Sequence, residues 1–437
     1  MSLLSKSVRA FVGTPERLVR LCEPIFRLFG FREARMRTQR AYYKIVIIKL
    51  DRLGDLTLSS CFLRDLRMWQ PNARITLVVR ESLVQFARGC PSVDEVIGVP
   101  VTEGEVLFDP VSNTYRKWCR QTTIWLRVCK RARLWKRRFD LAVVLRWPGD
   151  YYGATLLAYL SGSRERMGVN EQATLERSVV NYGYDQLLTR VVQGKCDGHE
   201  YLLNRRLARE LGCAENSDTP PTWVSIETRA LLSDIFLTAG IKPEIPLVAL
   251  CMGAGVGRKM WPVERYGELC RTAFADQVVQ FVCFGTAAEA SLGHELRLRM
   301  GEGMINLEGK IPLECLAAAM ELCSLYIGSD TGTMHLAAAA KVPVFCISCH
   351  PLDGDPLFPE SPSRFGPWGT LSRVIQPKRA EQPCSDQCYS LDPHCILQIE
   401  ADDAATEMLS WLDDISWRER SRSFLSLPME DEVESAC

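Results

Sequence analysis

No apolar run in the 437 residues approaches the roughly 20 residues that cross a bilayer. The N-terminus has no continuous apolar stretch followed by a small-residue cleavage site, so no secretory leader is expected. Net charge is lacking as well. The 53 Lys and Arg balance 53 Asp and Glu, and global charge names no partner. There is no repeat at a fixed period. Neither half shows G-x-G-x-x-G after its first strand with an acid about 20 residues on, which sets aside an NAD-dependent oxidoreductase. A disulfide framework is absent too: the 18 cysteines are scattered, and Cys251, Cys283 and Cys346 sit in apolar runs, as buried thiols of a reducing compartment do. A cytoplasmic location is the expectation.

What is present is the material of a globular protein, with 47% hydrophobic and 24% charged residues and a length suited to two or three domains. Two blocks alternate strand-like and helix-like patterns. In the first, residues 44–50, 75–79, 93–99 and 141–145 read as strands, and 56–69, 82–88 and 152–160 as helices. In the second, 248–251, 278–284, 325–327 and 342–347 read as strands, and 263–274, 287–298, 313–322 and 333–340 as helices. Continuous apolar strands alternating with helices predict an α/β chain of doubly wound parallel sheets. The Pro-bearing stretches 217–221 and 242–246 are linker signals. Four segments are expected: a basic extension over 1–40, a first domain over 41–240 with an insertion at about 101–138, a second over 241–417, and a tail over 418–437.

Three turns carry candidate chemistry. Residues 49–57 (KLDRLGDLT) end the first strand and open a helix. Gly54 permits close approach of a ligand, and Asp55 is either a helix cap or a carboxylate for proton transfer. Residues 252–262 (MGAGVGRKMWP) end the first strand of the second block. There Gly253 and Gly255 free backbone N–H groups for an anion, and Lys259 adds a point charge. Residues 329–335 (SDTGTMH) place Asp330, Thr331 and Gly332 at a helix start with His335 just inside it. Such a start is a cradle for phosphate, or only a capped helix, and a lone His is commonly a core residue.

Together these turns resemble glycosyltransferase family 9, the ADP-heptose:lipopolysaccharide heptosyltransferases. The resemblance rests on IVIIKLDRLGDLTLSSCFLRDLRMWQPNARITLVVR, SVDEVIGVP, GAGVGRKMWPVERYGELC and IGSDTGTMHLAAAAKVPVFCI, with a weaker match at FGPWG (365–369). It implies a GT-B fold, two Rossmann-like domains facing across a cleft, with the acceptor on the first and the donor on the second. It implies metal-free inversion at the anomeric carbon, with no cofactor and ADP-heptose as donor substrate. The acceptor it implies is a lipopolysaccharide-core or related glycan, free or lipid-linked. By the same resemblance Asp55 is the catalytic base, while Lys259, Glu289, Asp330, Thr331, Gly332 and His335 hold the donor. By their own position in the turns, Gly253 and Gly255 are expected on the donor side and Gly54 and Arg146 on the acceptor side. Asp51-Arg52, the insertion and the basic extension depart from the family pattern. Other readings are a family member with a different donor and acceptor, or a non-catalytic nucleotide-sugar binder of the same fold.

Smaller signals remain. Residues 116–138 hold ten Lys/Arg and no acid, interleaved with Trp118, Trp125 and Trp135. They suit a solvated helix face, an anionic membrane surface at the inner face of the cytoplasmic membrane, or a phosphorylated lipid acceptor. No nucleic-acid motif accompanies them. Arg146 ends a strand, either binding an acidic acceptor or capping a sheet edge. Asp353-Gly354-Asp355 is formally D-x-D but reads as a turn after the last strand. Cys384, Cys388 and Cys395 with His394 offer zinc-binding residue types without the paired C-x-x-C spacing, so a packed loop of thiols stands beside a metal site. His199 and a helix from Tyr201 are expected to be structural.

Overall fold

The computed structural model describes residues 42–101, 134–181, 183–301, 303–415 and 417–420. The basic extension over 1–40, most of the insertion and nearly all of the tail lie outside the described residues.

Among the described residues the chain builds two six-stranded sheets. The first holds β1 (Lys44–Ile48), β2 (Arg74–Arg80), β3 (Glu95–Val99), β4 (Leu141–Val144), β5 (Glu165–Val169) and β6 (Arg190–Val192), in the order β3-β2-β1-β4-β5-β6. The second holds β7 (Leu247–Cys251), β8 (Gln280–Cys283), β9 (Met304–Asn306), β10 (Leu325–Ser329), β11 (Val344–Ile347) and β12 (Ser372–Ile375), in the order β12-β11-β10-β7-β8-β9. Every pairing is parallel. The central strands explain why. Ile45, Val46, Ile47 and Ile48 are all buried, so the strand is covered on both faces, each such side chain contributing about 1.5–3 kcal/mol.

Contacts divide the chain into two compact units. The first unit runs through Arg52 and includes Cys61–Asp197 and Leu202–Asn216. The second takes Leu53–Ser60, Gly198–Tyr201 and everything from Ser217 on. The Leu53–Leu58 helix thus packs with the second unit although it directly follows β1.

Every strand expected from the sequence is present, with ends shifted by a few residues. Four strands were not foreseen: β5, β6, β9 and β12. Two have three residues, and the other two open on polar or charged residues, so none shows a β-branched apolar run. The single helix expected over 56–69 is two, Leu53–Leu58 and Ser60–Trp69. Hydroxyls account for the break. Thr57 Oγ1 donates to Leu53 O (2.9 Å), Ser59 Oγ to Asp55 O (2.7 Å) and Ser60 Oγ to Thr57 O (2.6 Å), and side chains that bond back to the preceding turn bend helices. The Asp353–Asp355 turn is irregular, but β12 follows it, so it does not come after the last strand. Its carboxylates are spent on backbone: Asp353 accepts from Ala380 N and Asp355 from Leu357 N.

His199 is structural, and the helix after it runs Glu200–Leu211. Its Nδ1 accepts from Tyr201 N (3.2 Å) and its Nε2 faces Gly366 O (3.0 Å), which assigns the neutral tautomer with the proton on Nε2. Trp368 covers the ring, and Arg364 is salt-bridged to Glu200 beside it. Burial, the largest influence, together with the charges of His335 and Arg364, depresses its pKa to about 4 against a bond to Gly366 that favours the charged form. The unfolded ring takes up its proton near pH 6.5. The stability this ring contributes is therefore present above pH 6.5 and is lost as pH falls toward 4. A melting-temperature series from pH 7.5 to 4 is expected to fall more steeply in the wild type than in His199→Gln.

Candidate functional site

In both sheets the strand order reverses between the first strand and the fourth, β1/β4 and β7/β10. The crevice beyond the carboxyl ends at such a reversal is where open parallel sheets bind ligands. Each reversal carries a largely buried ion pair joining the two turns.

In the second unit the turn after β7 meets the turn after β10. Lys259 ends the short Gly257–Lys259 helical turn. Its Nζ lies 3.0 Å from Asp330 Oδ2 and 3.9 Å from Glu360 Oε1. It also donates to Asp330 O. Burial by itself would lower the pKa of this ammonium; the carboxylates of Asp330 and Glu360 outweigh it and hold the pKa above its ordinary value. Lys259 is charged at any physiological pH. Arg258 next to it forms a two-point bond to Glu360 (2.8 and 2.9 Å).

Asp330 leads into the Gly332–Ala339 helix, whose N-cap is Thr331. The Thr331 hydroxyl makes no cap bond; it pairs with Thr333 Oγ1 at 2.9 Å, which also meets Tyr326 OH. First-turn N–H groups are thus left uncapped by side chains, at the positive end of a helix. His335, 5% exposed, has Nδ1 buried without a hydrogen-bond partner in the described structure. Burial first, and then Lys259, depress its pKa, while Asp330 and Asp55 push the other way.

The Leu53–Leu58 helix packs on this same turn. A Cβ on Gly54 would lie 2.4 Å from His335 Cδ2, and one on Gly332 would lie 2.9 Å from Leu53 Cβ and 3.2 Å from Gly54 N. Glycine at both places is what lets the two turns touch. The contact brings half-buried Asp55, in the first turn of its helix, into electrostatic range of His335.

The remaining predicted residues fall into place as follows. Gly253 is packed under Glu289, since a Cβ there would meet Glu289 Oε1 at 1.9 Å. Glu289 accepts from Thr286 N (2.6 Å) and Oγ1 (2.9 Å), closing a capping box. Gly255 is exposed on the turn. Arg146 is in the first unit, at the end of β4. It pairs with Asp51, donates from Nε to Gly149 O, and lies over the Tyr152 ring. Asp51 also takes Lys49 Nζ at 3.1 Å, and both are almost fully buried. Arg80 also lies over the Tyr152 ring, its Nη2 buried without a partner in the described structure.

Sequence reasoning missed Lys49, Arg80, Glu308 and Glu360. Glu308 lies beside Gly293, whose N–H it accepts at 2.9 Å. Burial first, with Glu289 adding, raises its pKa to about 7. Arg80, Glu308 and Glu360 stand in no local pattern that marks chemistry, and Lys49, although it opens the 49–57 turn, shows its partner Asp51 only in the fold. Among the described residues, side chains with metal-ligand chemistry gather in one place, Cys384, Cys388, His394 and Cys395.

Residues 131–394 match the family profile described as glycosyltransferase family 9 (heptosyltransferase). Over 352 residues the chain is 25% identical to lipopolysaccharide heptosyltransferase 2 of Salmonella typhimurium, covering 76% of this chain and 88% of that protein. The Escherichia coli protein of the same name is 24% identical over 348 residues, with the same coverage. Among solved structures, a glycosyl transferase family 9 protein from Veillonella parvula gives a TM-score of 0.64 at 20% identity over 86% of this chain and 99% of that one. The E. coli ADP-heptose lps heptosyltransferase II gives 0.58 at 21% identity over 85% and 99%. These structures establish the fold as GT-B.

The glycine contact yields a direct test. Gly54→Ala forces a methyl into the His335 ring and is expected to cost about 1–3 kcal/mol of stability, the scale of overpacking, read as a lower urea midpoint. An Ala at exposed Gly255 is expected to leave that midpoint unchanged.

Proposed function

The chain belongs to glycosyltransferase family 9 and is a glycosyltransferase, and from that premise we propose that it transfers heptose from ADP-heptose, with inversion and without a catalytic metal, to a lipopolysaccharide-core or related glycan acceptor. The observation that carries this reading is the contact of Gly54 with Gly332 and His335, which sets a half-buried carboxylate within electrostatic range of His335 at an uncapped helix start, where Asp330 also holds Lys259.

In this reading Asp55 takes the proton of the acceptor hydroxyl as its oxygen attacks the anomeric carbon. The bond from that carbon to the diphosphate oxygen breaks, and ADP leaves with the bonding electrons. The growing negative charge meets Lys259 and the first-turn N–H groups after Thr331 and Gly332, fixed positive charge that stands where a divalent cation would otherwise serve. Asp330 holds the ammonium in place and has a second oxygen for a sugar hydroxyl. His335, kept neutral, presents Nδ1 as an acceptor or donor to the donor's sugar. Gly253 and Gly255 let the backbone approach the nucleotide, and Glu289 takes the ribose hydroxyls. On the first sheet, Lys49 and Arg146 pair with the Asp51 carboxylate, and Arg80 lies over the Tyr152 ring that Arg146 also covers; an anionic group of the acceptor would be drawn to this cluster of cations. No organic cofactor has a part in these steps. The acceptor would be met at the inner face of the cytoplasmic membrane, with the protein associated peripherally; the basic 116–138 stretch invoked for that contact is mostly outside the described residues. Among the described residues no helix is long and apolar enough to cross a membrane.

The test is release of ADP from ADP-heptose in the presence of a core-oligosaccharide acceptor, with the product's anomeric configuration read by NMR. Turnover is expected to persist when magnesium and manganese are omitted, and the product to show the opposite configuration to the donor. Asp55→Asn is expected to lower kcat by at least about a hundredfold, the scale of lost base catalysis, while ADP affinity changes little. Tight ADP-heptose binding with no transfer to any acceptor would instead indicate a nucleotide-sugar binder, and transfer from another nucleotide sugar alone would indicate a different donor.

A further inference from the structure

The segment between β12 and the Ala401–Asp414 helix contains no strand, and it buries three cysteines beside Ile396 and Ile399. Cys384, Cys388 and Cys395 are buried, and no disulfide joins them. With His394 they place one ligand atom each within 4.8 Å of one another. His394 Nδ1 lies 3.6 Å from Cys384 Sγ and 3.5 Å from Cys395 Sγ. A tetrahedral ion with metal–sulfur bonds of about 2.3 Å and metal–nitrogen bonds of about 2.05 Å has sulfur–nitrogen edges of about 3.6 Å. Two backbone N–H groups point at the sulfurs, Tyr389 N at Cys384 Sγ (3.3 Å) and Glu381 N at Cys395 Sγ (3.4 Å). Such donors stabilise thiolates over thiols.

From this we propose that Cys384, Cys388, His394 and Cys395 form a closed, structural site for one thiophilic divalent metal ion, zinc or ferrous iron. Three thiolates and an imidazole fill a tetrahedron and leave no open position, so the ion braces the fold and takes no part in sugar transfer. An odd number of thiols also means that any disulfide in the loop would leave one sulfur over. The spacing, C-x3-C-x5-H-C, differs from paired C-x-x-C because the ligands come from a wandering loop and not from a β-hairpin.

What the ion would brace is the turn that carries Lys259. The carbonyl of Leu391 approaches Gly257 so closely that a Cβ there would lie 2.5 Å away, and Ser390 O accepts from Arg258 Nη1 at 3.3 Å. Both carbonyls belong to the chain between Cys388 and His394. The metal proposal stands on the ligand geometry alone; only its consequence for ADP binding rests on the transferase reading.

The experiment is elemental analysis of the full-length protein produced with zinc and iron supplied and purified under reducing conditions. About one zinc or iron per chain is expected, the stoichiometry of a four-ligand site, and which of the two is present identifies the ion. Cys388→Ala and Cys395→Ala are expected to drop that content at least about tenfold, the loss of one of four ligands, while Cys90→Ala, a buried thiol in the other unit, keeps it. Because a ligand variant could fail to fold, the wild type is also stripped and reloaded with cobalt(II), where tetrahedral d–d bands and thiolate charge-transfer absorption are expected. Wild-type protein with no bound zinc or iron, metal retained in both ligand variants, or a loop disulfide found by mass spectrometry would each overturn the site. Metal-loaded protein that fails to bind ADP would leave the site standing and count against the transferase reading.

Discussion

The candidate site depends on one constraint: a parallel sheet that reverses its strand order must place two turns side by side at the reversal. In the second sheet these are the turns after β7 and β10, and the Lys259–Asp330 pair joins them. In the first they are the turns after β1 and β4, and the Asp51–Arg146 pair joins them. An ion pair so nearly buried is poor evidence of stability, because the cost of desolvating both charges offsets their attraction. Its worth is in fixing a positive charge at a defined point. The carboxylates of Asp330 and Glu360 hold the pKa of the Lys259 ammonium above its ordinary value, so it stands as a cation at the mouth of a helix start.

Glycine sets the second requirement. Gly54 and Gly332 bring one helix onto the first turn of another at a spacing that no side chain would allow. That contact gives Asp55 and His335 a shared environment although they stand far apart in sequence. It also explains why the Leu53–Leu58 helix clusters with the second unit while β1, immediately before it, clusters with the first.

The sequence made the architecture readable where strands are fully buried. Runs such as KIVII and LYIGS announce central parallel strands, because a strand covered on both faces has no polar alternation. The peripheral strands β6 and β9 are too short to show any period, and β12 is half-buried and opens Ser-Arg. At the site, residue types at the strand ends were legible and their partners were not. Glycine, lysine and the Asp-Thr-Gly run stand out in a turn, whereas Glu360 enters from an irregular segment, and Arg80 and Lys49 look like ordinary strand-end cations. Arg146 illustrates the limit: its place after a strand fitted acceptor binding and capping alike, and the structure shows it committed to Asp51 and Gly149. The cysteine loop was visible as a set of residue types, but its irregular spacing concealed the convergence that the fold produces.

The central claim is that Lys259 and the uncapped helix start form a diphosphate site that works without a metal. Calorimetric titration of the protein with ADP in magnesium-free buffer, beside Lys259→Ala, tests it most directly. The account predicts that ADP binds and that the variant binds about ten- to a hundredfold more weakly, the loss of about 1.5–3 kcal/mol for one charge-assisted hydrogen bond. No ADP binding by the wild type, or equal affinity in the variant, would contradict it and leave the 329–335 stretch as the start of a helix and nothing more.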